Sequence, residues 1–289
     1  MRWIERTMSS IRNLNEKYET IVIDNNSQDD TVQFIEKNYP EIILLKEDKN
    51  HGFGKANNIG IKKAINEGAD NVFLLNQDAY LEPDTIEKLV KVLDMNEKIG
   101  VASPIHLNGE GTALDKLFSF YVAPKLVNTP CLFMSDLYVN TIKPYYEINF
   151  VNAAAWLIKK ECIEKVGLFD SLFYHYGEDV NYCQRLNYHQ LTLAIVPEPK
   201  IYHDRGDRVI KKDVSQKFKF RSLLIELANI NLSDDDFNER ISYLKKHYLF
   251  QSLFHFFRLR KSRGIQSYNT YRFLKIKKDE IIQSRMKNK

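Results

Sequence analysis

The sequence predicts an α/β fold with a mostly parallel sheet flanked by helices. Three observations carry this: apolar strands alternate with amphipathic helices, two of those strands end in Asp/Asn turns, and Gly or Pro closes several elements. Residues 3–14 place Ile4, Met8 and Ile11 on one helical face. A strand at 20–23 runs into Asp24-Asn25-Asn26-Ser27, and Asp29-Asp30-Thr31 opens a helix to Tyr39, stopped by Pro40. A short strand at 42–45 leads to Asn50-His51-Gly52-Phe53-Gly54, then a helix at 55–67 ending on Gly68. A strand at 71–75 ends in Asn76-Gln77-Asp78, and Glu82-Pro83-Asp84 opens a helix to about Asn96.

Beyond Gly100 the alternation fades. A strand is expected at 101–105, no element is assigned from 108 to 146, and 149–159 is strand-like. Helices follow at 160–166, stopped by Gly167, and at 178–188, then a strand at 191–196 ending at Pro197. After Asp213 the pattern is helical, which divides the chain into an α/β domain at 1–210 and a helical extension at 211–289.

With 289 residues, 44% of them hydrophobic, the chain can bury a full core. The net charge of +4 is uneven: from Gln251 onward eleven Lys and Arg face only Asp279 and Glu280. Such a tail suits an anionic surface, with a membrane favoured over nucleic acid. Cys131, Cys162 and Cys183 have no paired spacing, which argues against a disulfide framework or a zinc site. No apolar run is long enough to span a bilayer and no signal-like segment opens the chain, so a cytoplasmic protein is expected. Peripheral contact with the inner face of the cell membrane is a further expectation.

The chemistry-bearing residues sit at strand ends, where open α/β sheets bind ligands. Asp24-Asn25-Asn26-Ser27 is either a turn and helix cap or a grip on a nucleotide. Gly52-Phe53-Gly54-Lys55 lacks the spacing of a P-loop or a dinucleotide fingerprint, yet Lys55 could approach a diphosphate. Asn76 and Asp78, two apart in an extended segment, can meet one cation, and oxygen ligands at low count suit Mg²⁺ or Mn²⁺. Glu178-Asp179 at a helix start is stabilised there by the macrodipole whether or not it reacts. His203 reads as a packed histidine or a ligand, and Trp156 as core or as an aromatic platform for a sugar ring.

In this order and spacing, the segments resemble a family-2 glycosyltransferase with the GT-A fold, of the rhamnosyltransferase-like branch. They are Ile21–Ser27, Asn50–Gly60, Leu74–Asp78, Gly167–Asp170, Tyr176–Asn181 and Tyr202-His203, within about residues 2–208. The resemblance implies an inverting transfer from a UDP- or dTDP-linked sugar to a glycan or lipid-linked acceptor in surface polysaccharide synthesis. It implies that Asp24, Asn26, Ser27, Lys55, Asn58 and Asn76 bind the nucleotide sugar, and that Asp78 and His203 hold the cation. Asp179 would be the general base with Glu178 its neighbour, and Asn152, Trp156 and Asp170 would shape the acceptor side. Asn76 stands where the family has Asp, which weakens cation binding. The family also has an apolar strand ahead of the helix that opens at Trp3, central in the sheet and part of the base pocket. The alternative is therefore a catalytically impaired protein of this fold that binds a nucleotide or a partner.

Overall fold

Helix α1 (Ile4–Arg12) buries Ile4 and Met8 against Ile35 and Tyr39, which lie on and just after α2 (Thr31–Asn38). The α2 crossover joins strand β1 (Ile21–Asp24) to β2 (Ile43–Lys46), and the two pair in parallel from Ile21↔Ile43 to Asp24↔Lys46. Next come α3 (Phe53–Asn66), β3 (Asn71–Leu75), β4 (Ala79–Leu81), α4 (Thr85–Met95) and β5 (Ile99–Asn108). Then follow α5 (Lys116–Val122), α6 (Phe133–Tyr138), β6 (Tyr146–Ile148), β7 (Ala155–Lys159), α7 (Lys160–Val166), α8 (Glu178–Tyr188) and β8 (Thr192–His203). Three helices close the chain: α9 (Gln216–Leu227), α10 (Asp234–Phe257) and α11 (Lys261–Asn288). This computed structural model describes residues 2–123, 132–205 and 216–289. The domain boundary expected at 210, and Cys131, lie outside the described residues.

The main sheet runs β3-β7-β5-β8-β4, with β6 also on β8. It is mixed, which corrects the mostly parallel expectation: β5–β8 is parallel, whereas β3–β7, β5–β7, β4–β8 and β6–β8 are antiparallel. The strand–helix alternation that predicted parallel pairing covers only the first hundred residues. The later strand β7, entered by a loop rather than a crossover helix, inserts antiparallel between β3 and β5. Strand β8 also passes through Pro197 instead of stopping there. Its register with β5 jumps from Pro104↔Val196 to Ile105↔Lys200, so Pro197 and Pro199, which lack an N–H, sit in the irregularity. The bend lets the first half of β8 pair β6 and the last residues pair β4.

The main core fills the space between this sheet and α5, α7 and α8, with Phe118, Trp156, Ile158, Tyr182 and Leu186 fully buried. A second cluster packs α4 onto the sheet through Leu89, Val92 and Leu93. The C-terminal helices have their own core of Leu223, Leu227, Phe237, Ile241, Leu244, Leu274 and Ile281. Ser233 caps α10 by accepting the Asp236 N–H at 3.0 Å, and Asp234–Asp236 occupy its first turn.

Strands β1 and β3 share no backbone hydrogen bond among the described residues, so β1–β2 forms a sheet of its own. Between them opens a cavity of about 1160 Å³, lined by Ile21 and Ile23 on one wall and Val72 and Leu74 on the other.

Candidate active site

The cavity between β1 and β3 ends at the acidic turns. Asp24, buried at the end of β1, accepts the Ser27 N–H at 3.2 Å, the local turn its residue type favours. Asn26 beyond it adopts φ 67°, and its amide donates to the Asp48 carbonyl at 3.2 Å. Asn25 accepts the His51 N–H at 2.7 Å and donates to the Gly52 carbonyl at 3.3 Å, which knits the loops after β1 and β2 together. Gly52 sits at φ 79°, where a Cβ would stand 1.9 Å from the Tyr174 carbonyl oxygen. No side chain but hydrogen fits there. Ser27 and Lys55 are exposed, Lys55 in the first turn of α3.

On the other side, Asp78 follows β3. Pairing of Ala79 with His203 across β4 and β8 brings the Asp78 carboxylate within 3.3 Å of His203 Nε2, both residues buried. The Asp204 N–H donates to the Asp78 carbonyl at 2.8 Å. His203 Nδ1 is buried with no hydrogen-bond partner among the described residues. His106 stands edge-on to His203 at 6.0 Å, wholly buried, and that burial drives its pKa far down and keeps it neutral. The Asp78 carboxylate and the His203 Nε2 that faces it form an oxygen–nitrogen donor pair that fits a divalent cation.

Glu178 and Asp179 begin α8 after Gly177, at φ 105°. Burial raises the Asp179 carboxyl, and N–H groups of Val180 (2.8 Å) and Ala153 pull it partly back. Burial also lifts Glu178 to about 7, with the Asp179 charge adding to it, and Glu178 Oε2 has no partner among the described residues. The Ala153 contact matters for placement, because the next residue's carbonyl, Ala154 O, accepts the Asn76 N–H at 2.9 Å. One short loop, 152–154, therefore acts on the charge of the acid at α8 and bonds to the turn that carries Asp78. Asn152 belongs to it, with a buried, unpartnered side-chain oxygen. Asp24, Asn76 and Asp78 line one cavity together with His175 and Tyr176, two residues short of Glu178.

Three expected site residues stand elsewhere. Trp156 is 0% exposed, paired opposite Leu74 and packed on Phe169 and Tyr182, so neither ring face can meet an acceptor sugar. Asp170 accepts from Ser284 Oγ at 2.6 Å and from Asn288 Nδ2, and so fastens α11 to the α/β body rather than facing an acceptor. Asn58 donates to the Phe169 carbonyl at 2.8 Å and accepts the Phe169 N–H at 2.9 Å; its amide clamps the backbone ahead of α8. Apolar placement in a strand signals the first, whereas nothing local signals contacts more than 110 residues away.

The sequence reading missed Tyr121, Asp115, Arg205 and Arg221. Burial raises the Tyr121 hydroxyl to about 12, with Asp179 contributing next and the Arg205–Asp115 pair, joined at 2.7 Å, also acting on it. Asp115 meanwhile caps α5 through the Leu117 and Phe118 N–H groups. Arg221 of α9 lies over the Tyr176 ring at 5.0 Å, and its charge favours the ionised forms of Glu178 and Asp179. The Asp-Lys-Leu-Phe capping pattern at 115–118 is visible in the sequence; Arg221 has no such signal.

The mixed sheet flanked by helices, with acidic turns at strand ends around one cleft, resembles the GT-A fold. The chain belongs to the family described as glycosyl transferase family 2, whose sequence model matches residues 2–167. It is similar to the dTDP-rhamnosyl transferase RfbF of Shigella flexneri, at 25% identity over 66% of this chain and 61% of that protein. The chain thus spans about three fifths of that relative. It is also similar to an N-acetylglucosaminyl-diphospho-decaprenol L-rhamnosyltransferase of Mycobacterium tuberculosis, at 22% identity over 70% of this chain and 72% of that one. Among solved structures it resembles S. aureus TarS 1–349 in complex with UDP-GlcNAc, with a TM-score of 0.57 and 15% identity over 98% of this chain and 78% of that chain. GalNAc-T7 with UDP, GalNAc and Mn²⁺ gives the same TM-score at 16% identity, covering 86% of this chain and 48% of that chain.

Proposed function

We propose that the chain, with 1–210 as its catalytic unit, is an inverting glycosyltransferase of surface polysaccharide synthesis at the cytoplasmic face. It moves a sugar from a UDP- or dTDP-linked donor to a hydroxyl of a glycan or lipid-linked acceptor. The observation that carries this is the 152–154 loop, whose Ala153 backbone favours the ionised Asp179 and whose Ala154 carbonyl accepts the Asn76 N–H beside Asp78 at 2.9 Å. It supports one reaction site with an acid at each side. The name of the Shigella flexneri relative supports dTDP, and the solved neighbour holding UDP-GlcNAc supports UDP.

Asp24 binds the base and ribose, with Asn26 and Ser27 completing its turn. Lys55 and the first N–H groups of α3 meet the diphosphate, whose departing charge needs fixed positive partners. A divalent cation, Mg²⁺ or Mn²⁺, would be held by Asp78 and His203, beside Asn76, and would supply further neutralisation of the leaving group. Asp179 takes the proton from the acceptor hydroxyl, and a carboxyl raised by burial is better matched to that task near neutral pH. Glu178 and Arg221 set the charge around it. Asn152 remains on the acceptor side; Trp156, Asp170 and Asn58 position the body around the site. Purified chain incubated with dTDP- and UDP-sugars, Mn²⁺ and lipid-linked acceptors tests this. Donor bound with no product formed would sink the transferase reading.

The divided sheet favours a second reading, a protein of this fold that binds a nucleotide or partner without turnover. The cavity between β1 and β3 keeps the Asp24 and Asp78 turns on two sheets that share no ladder among the described residues. Donor binding measured by calorimetry beside the transfer assay separates the two readings: product formed supports the transferase reading, and donor bound without product supports the second.

A further inference from the structure

We propose that the tip of the α10–α11 hairpin is a docking surface for an anionic lipid bilayer. The proposal goes beyond the transferase reading and does not depend on it. Near the end of α10, Phe250, Leu253, Phe254 and Phe257 follow the i, i+3, i+4, i+7 spacing that puts them on one helical face. They are exposed rather than covered: Phe250 69%, Leu253 62% and Phe257 89%, with Leu259 in the turn at 83%. The opposite face is the one that packs. Ser252 is buried and donates to the Gly264 carbonyl at 2.9 Å, and the Phe256 ring lies against Gly264 of α11. The hairpin thus closes on its small residues and turns its aromatic stripe outward.

Charge says what covers that stripe. From Arg240 to Lys278 there are eleven Lys and Arg and no Asp or Glu. Arg258, Arg260, Lys261 and Arg263 encircle the tip, and the Arg258 guanidinium lies over the Phe254 ring at 4.6 Å. A uniformly positive rim repels a second copy of the same surface and attracts acidic headgroups. Phenylalanine and leucine offer no donors or acceptors to a nucleic-acid base, but bury well at the boundary of headgroups and acyl chains. The far end of α11 is held on the α/β body by the Asp170 contacts to Ser284 and Asn288 and by Arg185 to Asn288 at 3.3 Å. From Gly264 to Ser284 the helix rises about 30 Å. The tip is therefore carried on a braced arm, and because no helix among the described residues is long and apolar enough to cross a membrane, the contact is a surface one.

The test is co-sedimentation of the full chain with vesicles of phosphatidylcholine alone and of phosphatidylcholine with phosphatidylglycerol, with circular dichroism as the folding control. The wild type is expected to bind the anionic vesicles on the order of tenfold or more tightly than the neutral ones, and less tightly as salt rises. Phe250→Ser with Phe257→Ser, both exposed positions, is expected to keep the fold and lose binding by about tenfold. Arg258→Glu with Arg260→Glu is expected to abolish the preference for anionic lipid. Equal binding by wild type and the folded Phe double variant overturns the proposal. So does a tip that binds single- or double-stranded nucleic acid but no vesicle, or one whose Phe variant only abolishes self-association.

Discussion

Replacing Glu178 by Gln tests the electrostatics at the start of α8 directly. Glu178 is 4% exposed, and its carboxyl lies at about 7 instead of 4.5, chiefly because burial disfavours its charge. The folded chain therefore holds that proton more tightly than the unfolded chain does. Between about pH 4.5 and 7 the folded state binds more protons, so stability contributed by this group is fully present at low pH and lost as pH rises through that window. A gap of about 2.5 pH units at about 1.4 kcal/mol each amounts to roughly 3 kcal/mol. Gln cannot ionise, so the variant lacks this loss. Urea denaturation at pH 4.5 and pH 8 reads the difference. The variant's advantage over wild type should grow by up to about 3 kcal/mol from the lower to the higher pH, and any fixed effect of the amide cancels in that comparison. Parallel stability curves for the two proteins would refute the claim that Glu178 is held protonated by its surroundings.

Asp179→Asn should reduce transfer by about 10²–10⁴-fold while donor affinity in calorimetry is kept; surviving transfer removes Asp179 as the base. Asp78→Ala should weaken Mn²⁺-dependent binding of the sugar nucleotide by about tenfold or more, with no difference in chelator, and equal affinities in Mn²⁺ would take Asp78 out of the cation site. Gly52→Ala forces a Cβ against the Tyr174 carbonyl at a φ of 79°, so thermal denaturation should show a loss of about 2 kcal/mol or more; an unchanged melting temperature means the loop can move aside. Asp170→Ala strands Ser284 and Asn288 and should speed amide exchange in the last turns of α11, at a loss of about 2–3 kcal/mol; unaltered protection would show that α11 is held by other contacts.

What the sequence disclosed follows its range of influence. Elements up to Asn96 were legible because apolar spacing, caps and glycine stops are local, and β3, α7 and α8 match their expected spans. Strand β4 was hidden, since three residues after a turn carry no period of their own. Pro197 reads as a stop because proline has no N–H to give a ladder, whereas the bulge in β8 absorbs it without ending the strand. The acid positions were legible as strand-end and helix-start residues. Which side chains serve instead as brackets was not. Asn58 and Asp170 owe their roles to partners 111 and 114 residues away, a distance over which residue type alone says nothing.

Asp24 and Asp78 are carried by different sheets, since among the described residues β1 pairs with β2 alone and β3 with β7 alone. The ribbon bearing Asp24 is thus tethered to the rest mainly by helices, and its opening need not disturb the larger sheet. A molecule that grips both carboxylate turns serves as mortar between two blocks that lack a common course. Part of its affinity would then be spent on immobilising the ribbon, so occupancy should be legible as slowed exchange in β1 and β2 as much as in the turns it touches.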